Sequence, residues 1–295
     1  LYSKQKEQNH IMEGNMKKTK KVKILPNENK KSENESFIPQ TMTGTKPEDK
    51  QWFEKESFWQ NFGPIMFDSQ HWAEAPDVAE NVIKIAGLTK GCSILDAGCG
   101  PGRISVELAA LGLDVTGVDI IQSELDAAAE TAEAEGVKLN LINADLRTFT
   151  TEKKFDCAVN LYTSFGYCAT IEEDLKILKH IADAIKDDGF FIMECTSRET
   201  AILYFTEGEW FERAGMTVLT QFSVEGAWEG LRSKWTLINK QGQRIEHEFV
   251  QRLYSAVELK RMLMAVGFKS AEIYGDFDFS PYNEKARTMV IVAKK

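Results

Sequence analysis

The chain has 295 residues, 27% charged and 43% hydrophobic, which excludes a wholly disordered or fibrous protein and suffices for one large core. Its net charge of −9 is uneven: residues 1–50 hold 11 Lys against 7 acids, and the remainder 25 Lys and Arg against 38 acids. An acidic body disfavours a nucleic-acid enzyme, whose affinity rests on phosphate contacts, and no apolar run approaches the ~20 residues of a membrane span.

Residues 1–50 are rich in Lys, Asn, Glu, Gln and Thr, with no aromatic between Tyr2 and Phe37. Such a stretch cannot bury enough apolar surface to offset its ordering entropy, so a disordered leader is expected, its basic run Lys17 to Lys23 a solvated tail. From residue 51 aromatics recur at helical spacing (Trp52, Phe53, Phe58, Trp59, Phe62, Met66, Phe67), and a second helix is expected over Ala75–Leu88. Apolar runs at 93–97, 114–119, 138–142, 155–161 and 189–195 then read as strands, separated by helical stretches at 102–111, 122–135 and 171–186. Strand and helix alternating in this rhythm mean βαβ units and an α/β, doubly wound, mostly parallel sheet covered on both faces. Beyond residue 195 the rhythm breaks into β-rich stretches at 215–224 and 230–253, expected to be antiparallel. A last helix starts at Ser255, where SAVE is a capping-box pattern, and two strands near 270–276 and 288–293 follow. The expected organisation is therefore the leader, a helical cap (51–90), a core (91–195), a β-rich lid insertion (196–254) and a closing segment (255–295).

The chemistry concentrates in LDAGCGPGR, residues 95–103, where the first strand gives way to a glycine loop and a helix start. In an open parallel sheet ligands sit beyond the carboxyl ends of the strands, and Gly98, Gly100 and Gly102 let backbone approach closely. A dinucleotide fingerprint needs glycine at position 103, which is Arg103 here; that arginine either clamps a carboxylate or pairs with Glu107 one turn on. Asp96, just before the glycines, suits a cationic amino group better than a pyrophosphate. Asp119 ends the next strand about twenty residues on, the spacing of an acid that accepts from ribose hydroxyls. Asp145 follows the third strand, placed to accept from an adenine amine beside Ile120 and Leu146. Three acids around a glycine loop describe a pocket for an adenosine bearing a cationic amino acid, namely S-adenosylmethionine. Cys99 reads as a small filler. The five cysteines form no CxxC pair and the four histidines no HxxxH spacing, so no metal is expected, and the protein reads as reduced and cytoplasmic.

On ILDAGCGPGR, NLYTSFGY (160–167) and the ending YSAVELKRMLMAVGF through YGDFDFSPYNEKARTMVIVAKK, the sequence resembles the class I S-adenosylmethionine-dependent methyltransferases over roughly residues 75–295. The resemblance implies a Rossmann-like seven-stranded sheet with its last strand reversed. It implies glycine-loop contacts to the methionine part, Asp119 on the ribose, Asp145 and Leu146 near the adenine, and Asn160 and Leu161 facing the methionine moiety and acceptor; S-adenosylhomocysteine would be the product. The fourth strand runs into Asn160, Leu161, Tyr162, Thr163 rather than the [DNS]PP[YF] motif of amino-DNA enzymes, and no Pro-Cys dipeptide occurs, so neither nucleobase chemistry of DNA fits. A small-molecule acceptor methylated on O or N is expected; the alternatives are an RNA-base enzyme gripping RNA with the basic leader, or a catalytically silent cofactor-binding protein. The residues assign no oligomeric state. Tyr162, Ser164 and Tyr167, His71 and Glu194 are the candidates for direct work: the tyrosines to orient the nucleophile, His71 to accept its proton, Glu194 alternatively to hold a backbone amide. All six tryptophans (52, 59, 72, 210, 228, 235) fall outside 93–195, suggesting an aromatic lid over a partly apolar or amine-bearing acceptor.

Overall fold

The computed structural model describes residues 50–295; the leader expected over 1–50 lies outside the described residues but for Lys50. A short 3-10 turn, Trp52–Glu54, leads into helices α1 (Glu56–Met66) and α2 (Ser69–Ala86). Five strands then alternate with helices: β1 (Ser93–Ala97), α3 (Arg103–Ala110), β2 (Asp114–Asp119), α4 (Gln122–Ala134), β3 (Asn140–Asn143), β4 (Phe155–Asn160), α5 (Ile171–Ala184) and β5 (Ile185–Cys195). After α6 (Arg198–Leu203) comes a four-stranded antiparallel meander, β6 (Gly208–Arg213), β7 (Met216–Glu225), β8 (Gly230–Ile238) and β9 (Arg244–Arg252), and then α7 (Ala256–Ala265), β10 (Ser270–Tyr274) and β11 (Met289–Lys294).

The main sheet has the order β10-β11-β5-β4-β1-β2-β3, with β1 to β5 parallel and β11 antiparallel to both neighbours. This is the seven-stranded, doubly wound arrangement with a reversed last strand. The central strand β1 is buried at every position, because helices cover both faces, and this is why SILDA reads as a continuous apolar run. Leu95, Ala97, Ala158 and Phe191 face one apolar layer with α5 and α7, whereas Ile94, Val115, Cys157 and Ile192 face the other with α2 and α3.

Three boundaries differ from expectation. Helix α2 starts at Ser69, not Ala75: the Asp68 carboxylate accepts from the His71 amide and caps the helix there, and Pro76 sits in its interior at the loss of one backbone bond rather than at its start. Strand β3 occupies 140–143 rather than 138–142, since an edge strand exposed along most of its length carries little apolar signal. The turn-and-a-half of α6, capped by Ser197, opens the segment expected to be β-rich, and the meander starts at Gly208, ahead of the first expected stretch at 215–224.

Candidate active site

Strands β1, β2 and β4 end together at the carboxyl edge of the sheet, and the 98–102 loop crosses their tips. Gly98, Gly100 and Gly102 all have positive φ (84°, 51° and 76°), a region closed to most side chains. A Cβ at Gly102 would lie 2.6 Å from Cβ of Ala128 on α4, so only glycine lets loop and helix meet. Cys99 is buried with Sγ against Gly117 of β2, where an added Cβ would approach it to 2.8 Å. Burial also pushes its thiol well above the ordinary value, and it is the filler the sequence suggests.

Asp119 ties the loop to its strand: Oδ2 accepts from the Gly100 amide at 2.8 Å and Oδ1 from the Ile121 amide at 2.9 Å. Each oxygen retains a lone pair for a further donor. Asp96 is 4% exposed and accepts from Ser105 Oγ at 2.6 Å, which fixes the start of α3. Asp145 is no open carboxylate. It takes Arg147 Nε at 2.8 Å and the Arg147 amide at 2.8 Å, and the same guanidinium bonds Glu54 in the 3-10 turn. The pair pins the amino-terminal segment to the tip of β3, beside half-exposed Ile120 and half-buried Leu146. Glu56 anchors α1 similarly, accepting from the Ser123 hydroxyl at the head of α4.

Asn160, at the end of β4, is 1% exposed; its Nδ2 donates to Ala97 O at 2.7 Å, while Oδ1 is buried without a partner. An orphan acceptor beside Gly98 fits a ligand that brings an N–H. With the bare loop backbone and the spare lone pairs of Asp119, it meets the demands of a nucleoside carrying an ammonium group. Leu161 is buried in the apolar layer under α2.

The next two residues, Tyr162 and Thr163, hold positive φ of 55° and 60°, a strained conformation costing roughly 1–3 kcal/mol each. Buried Glu194 holds them: its Oε2 accepts from the Tyr162 amide at 2.8 Å, its carbonyl accepts from the Thr163 amide, and its other oxygen takes the Thr288 hydroxyl. Glu194 thus positions backbone, the alternative weighed against a direct role, and Ser164 Oγ donates to Leu161 O. Arg103 is 5% exposed and, among the described residues, makes no pair with Glu107; its guanidinium lies 3.9 Å above the Tyr162 ring and donates to His71 O. The His71 ring sits 6.2 Å from that of Tyr162, with Nδ1 2.6 Å from Asp68 Oδ1. Asp68 Oδ2 in turn pairs with Arg213 Nε of β6 at 3.0 Å. Burial pushes the Asp68 carboxyl up, but the His71 amide and ring, with Arg213, outweigh it and leave it below the ordinary range.

The structure brings Tyr162 and His71 together, whereas the Tyr167 ring packs 5.0 Å from that of Trp52 and 5.9 Å from that of Phe249. Nor do the six tryptophans form one lid. Trp52, Trp59 and Trp235 gather with Phe58 and Phe62, Trp228 packs on Phe205, and Trp210 stands 64% exposed. Asp68 and Arg213 were missed by sequence reasoning; DSQH, an N-cap acid three residues before a histidine, was the available signal for the first, and nothing local marks the second.

Residues 94–189 match the family described as a methyltransferase domain. A methyltransferase of Geobacillus sp. (strain WCH70) is 26% identical over 214 residues, spanning 68% of this chain and 84% of that protein. Among solved structures, an S-adenosylmethionine-dependent methyltransferase from Clostridium acetobutylicum superposes with a TM-score of 0.68 at 16% identity, covering 80% of this chain and 98% of the other. A sugar N-methyltransferase from Streptoalloteichus sp. does so with 0.59 at 19% identity, covering 88% and 99%.

Proposed function

We propose that this S-adenosylmethionine-dependent methyltransferase transfers the methyl group to an oxygen or nitrogen of a small-molecule acceptor, with His71, oriented by Asp68, taking the acceptor's proton. When bound, S-adenosylmethionine supplies a sulfonium methyl open to in-line displacement. The residues that would hold it are Gly98, Gly100 and Gly102 through their backbone, Asp119 through the ribose hydroxyls, and Asn160 Oδ1 with Asp96 toward the ammonium. Asp145, engaged by Arg147, keeps the adenine edge in place together with Ile120 and Leu146. The observation that carries the assignment is Asp119, which holds the loop through Oδ2 on the Gly100 amide and is itself fixed through Oδ1 on the Ile121 amide.

For the acceptor, the carrying observation is the contact of His71 with Asp68. A carboxylate 2.6 Å from Nδ1 fixes the tautomer with its proton on Nδ1, which frees Nε2 as a base beside Tyr162. Stacking of Arg103 on the Tyr162 ring keeps that side chain at the mouth of the site. The acidic body, with 25 Lys and Arg against 38 acids in residues 51–295, disfavours RNA, and the structural neighbour described as a sugar N-methyltransferase supports a small acceptor. Incubating the full chain with methyl-labelled cofactor, a small-metabolite extract and total RNA tests this: label should enter the small-molecule fraction, and label confined to RNA would contradict it.

Cofactor binding should depend on pH. Burial, reinforced by the charge of Asp119, pushes Asp96 up to about 6, and burial with the charges of Asp119 and Glu56 pushes Glu124 up to about 7. Acids raised in the folded state bind protons more tightly there than in the unfolded chain. Their stabilisation is thus complete below the ordinary carboxylate range and is lost as pH rises through about 6 to 7. A bound cation favours the ionised acids, so cofactor affinity should rise between about pH 5.5 and 7.5, with proton release on binding. Calorimetry in buffers of different ionisation enthalpy reads both; a flat affinity over that window would oppose an ammonium near Asp96.

A further inference from the structure

At the Tyr167 end of the loop after β4, five rings from four stretches of chain form a wall. Trp52 is its centre, 4.7 Å from Phe58, 4.8 Å from Phe249 in a stacked pair, 5.0 Å from Tyr167 and 5.9 Å from His247. Two polar atoms in this wall, Trp52 Nε1 and His247 Nε2, are buried without a hydrogen-bond partner. Folded proteins rarely leave such atoms unpaired, and Trp59 in the same cluster follows that rule by donating to Phe53 O at 3.0 Å. Yet Trp52, Tyr167, His247 and Phe249 each keep part of their surface exposed. The wall is also fixed to the strand-tip site: the Arg252 amide, three residues beyond Phe249, donates to Gly166 O at 2.7 Å, stitching β9 to the loop that carries Tyr162 and Tyr167.

We propose that this wall is the acceptor chamber, and that it takes a flat, uncharged aromatic molecule carrying one oxygen substituent that accepts from Trp52 Nε1 and pairs with His247 Nε2, with the O or N to be methylated elsewhere on the ring, toward His71. The proposal rests on the methyltransferase reading given above and names the substrate class for that same site. Rings on several sides favour a planar apolar body through offset and edge-on stacking. A sugar or other polyol would find two polar atoms and leave its remaining hydroxyls desolvated and unpaired. An amine is disfavoured as well. The charged groups that bear on His247 are Lys55 at the head of α1 and Glu248 beside it; burial first, then Lys55, hold the imidazole below its usual range, and Glu248 is already paired with Arg232. A neutral imidazole and a nearby ammonium suit a neutral oxygen-bearing ring, which replaces the amine expected from the tryptophans alone.

The test uses the full chain saturated with S-adenosylhomocysteine and three probes, 2-naphthol, naphthalene and glucosamine, titrated by ligand-observed NMR. 2-Naphthol should bind at least about 10-fold more tightly than naphthalene, and glucosamine should show no saturable binding. Trp52→Phe and His247→Phe should each weaken 2-naphthol by about 5-fold or more while leaving naphthalene within about 2-fold, and His247→Gln should recover part of the loss. Unchanged S-adenosylhomocysteine affinity shows that each variant is folded. Equal affinity for 2-naphthol and naphthalene, saturable glucosamine, or variants that leave 2-naphthol unaffected would overturn the chamber alone. Failure of the wild-type protein to take up S-adenosylhomocysteine would overturn the methyltransferase reading and the chamber with it.

Discussion

Asp119→Ala should lower the affinity for S-adenosylmethionine by roughly 10²- to 10⁴-fold. A hydrogen bond to a charged group contributes about 1.5–3 kcal/mol, and two ribose hydroxyls on one carboxylate lose two of them. The variant also leaves the Gly100 and Ile121 amides without their acceptor, which loosens the glycine loop. Against this, removing a buried carboxylate whose proton affinity is raised by burial relieves a desolvation cost, so the thermal midpoint should move little in either direction. Asp119→Asn, which keeps one acceptor oxygen, should fall between the two. Equilibrium binding with a labelled cofactor, beside a melting curve for each protein, reads the result; undiminished affinity in the alanine variant would place the ribose elsewhere.

His71→Ala should reduce kcat by about 10²- to 10⁴-fold for an acceptor that arrives protonated, with no change in cofactor affinity. Asp68→Asn separates orientation from charge. Asparagine caps a helix about as well as aspartate, so α2 should survive, while the ring at Nδ1 loses its anionic partner and Arg213 its ion pair. A loss of about 10-fold or more in kcat is expected for that variant, again with cofactor binding intact. Equal loss of cofactor affinity in both variants would show that they damage the fold rather than the base.

The parts legible in the sequence were those whose chemistry is local. Strands β1 and β4 are buried at nearly every position, and a strand with no solvent side is mostly apolar, so the runs at 93–97 and 155–161 announced themselves. Strand β3 is an exposed edge, and its bounds moved from the expected 138–142 to 140–143 because Ile142 and its neighbours have no core to match. The glycine loop was equally plain, since three glycines between a strand and a helix have few other uses. Asp96 and Asp119 followed from their places around the loop and at a strand end, and Asn160 from the resemblance to the class I methyltransferases. What the sequence could not show were meetings of distant segments: Asp68 with Arg213, Glu54 with Arg147, Trp52 with His247. Tyr162 and Tyr167 looked alike for the same reason. Five residues apart on one loop, they turn to different partners, one to Arg103 and His71, the other to Trp52 and Phe249.

A sulfonium nucleoside is expected to lie across the tips of β1, β2 and β4, its sugar on Asp119 and its ammonium toward the unpaired oxygen of Asn160. A crystal structure of the full chain with S-adenosylhomocysteine tests it directly. Density with both ribose hydroxyls on the Asp119 carboxylate and the amino group within hydrogen-bond reach of Asn160 Oδ1 is the predicted result. A nucleoside bound away from the 98–102 loop, or a loop that admits no ligand at saturating concentration, would contradict it.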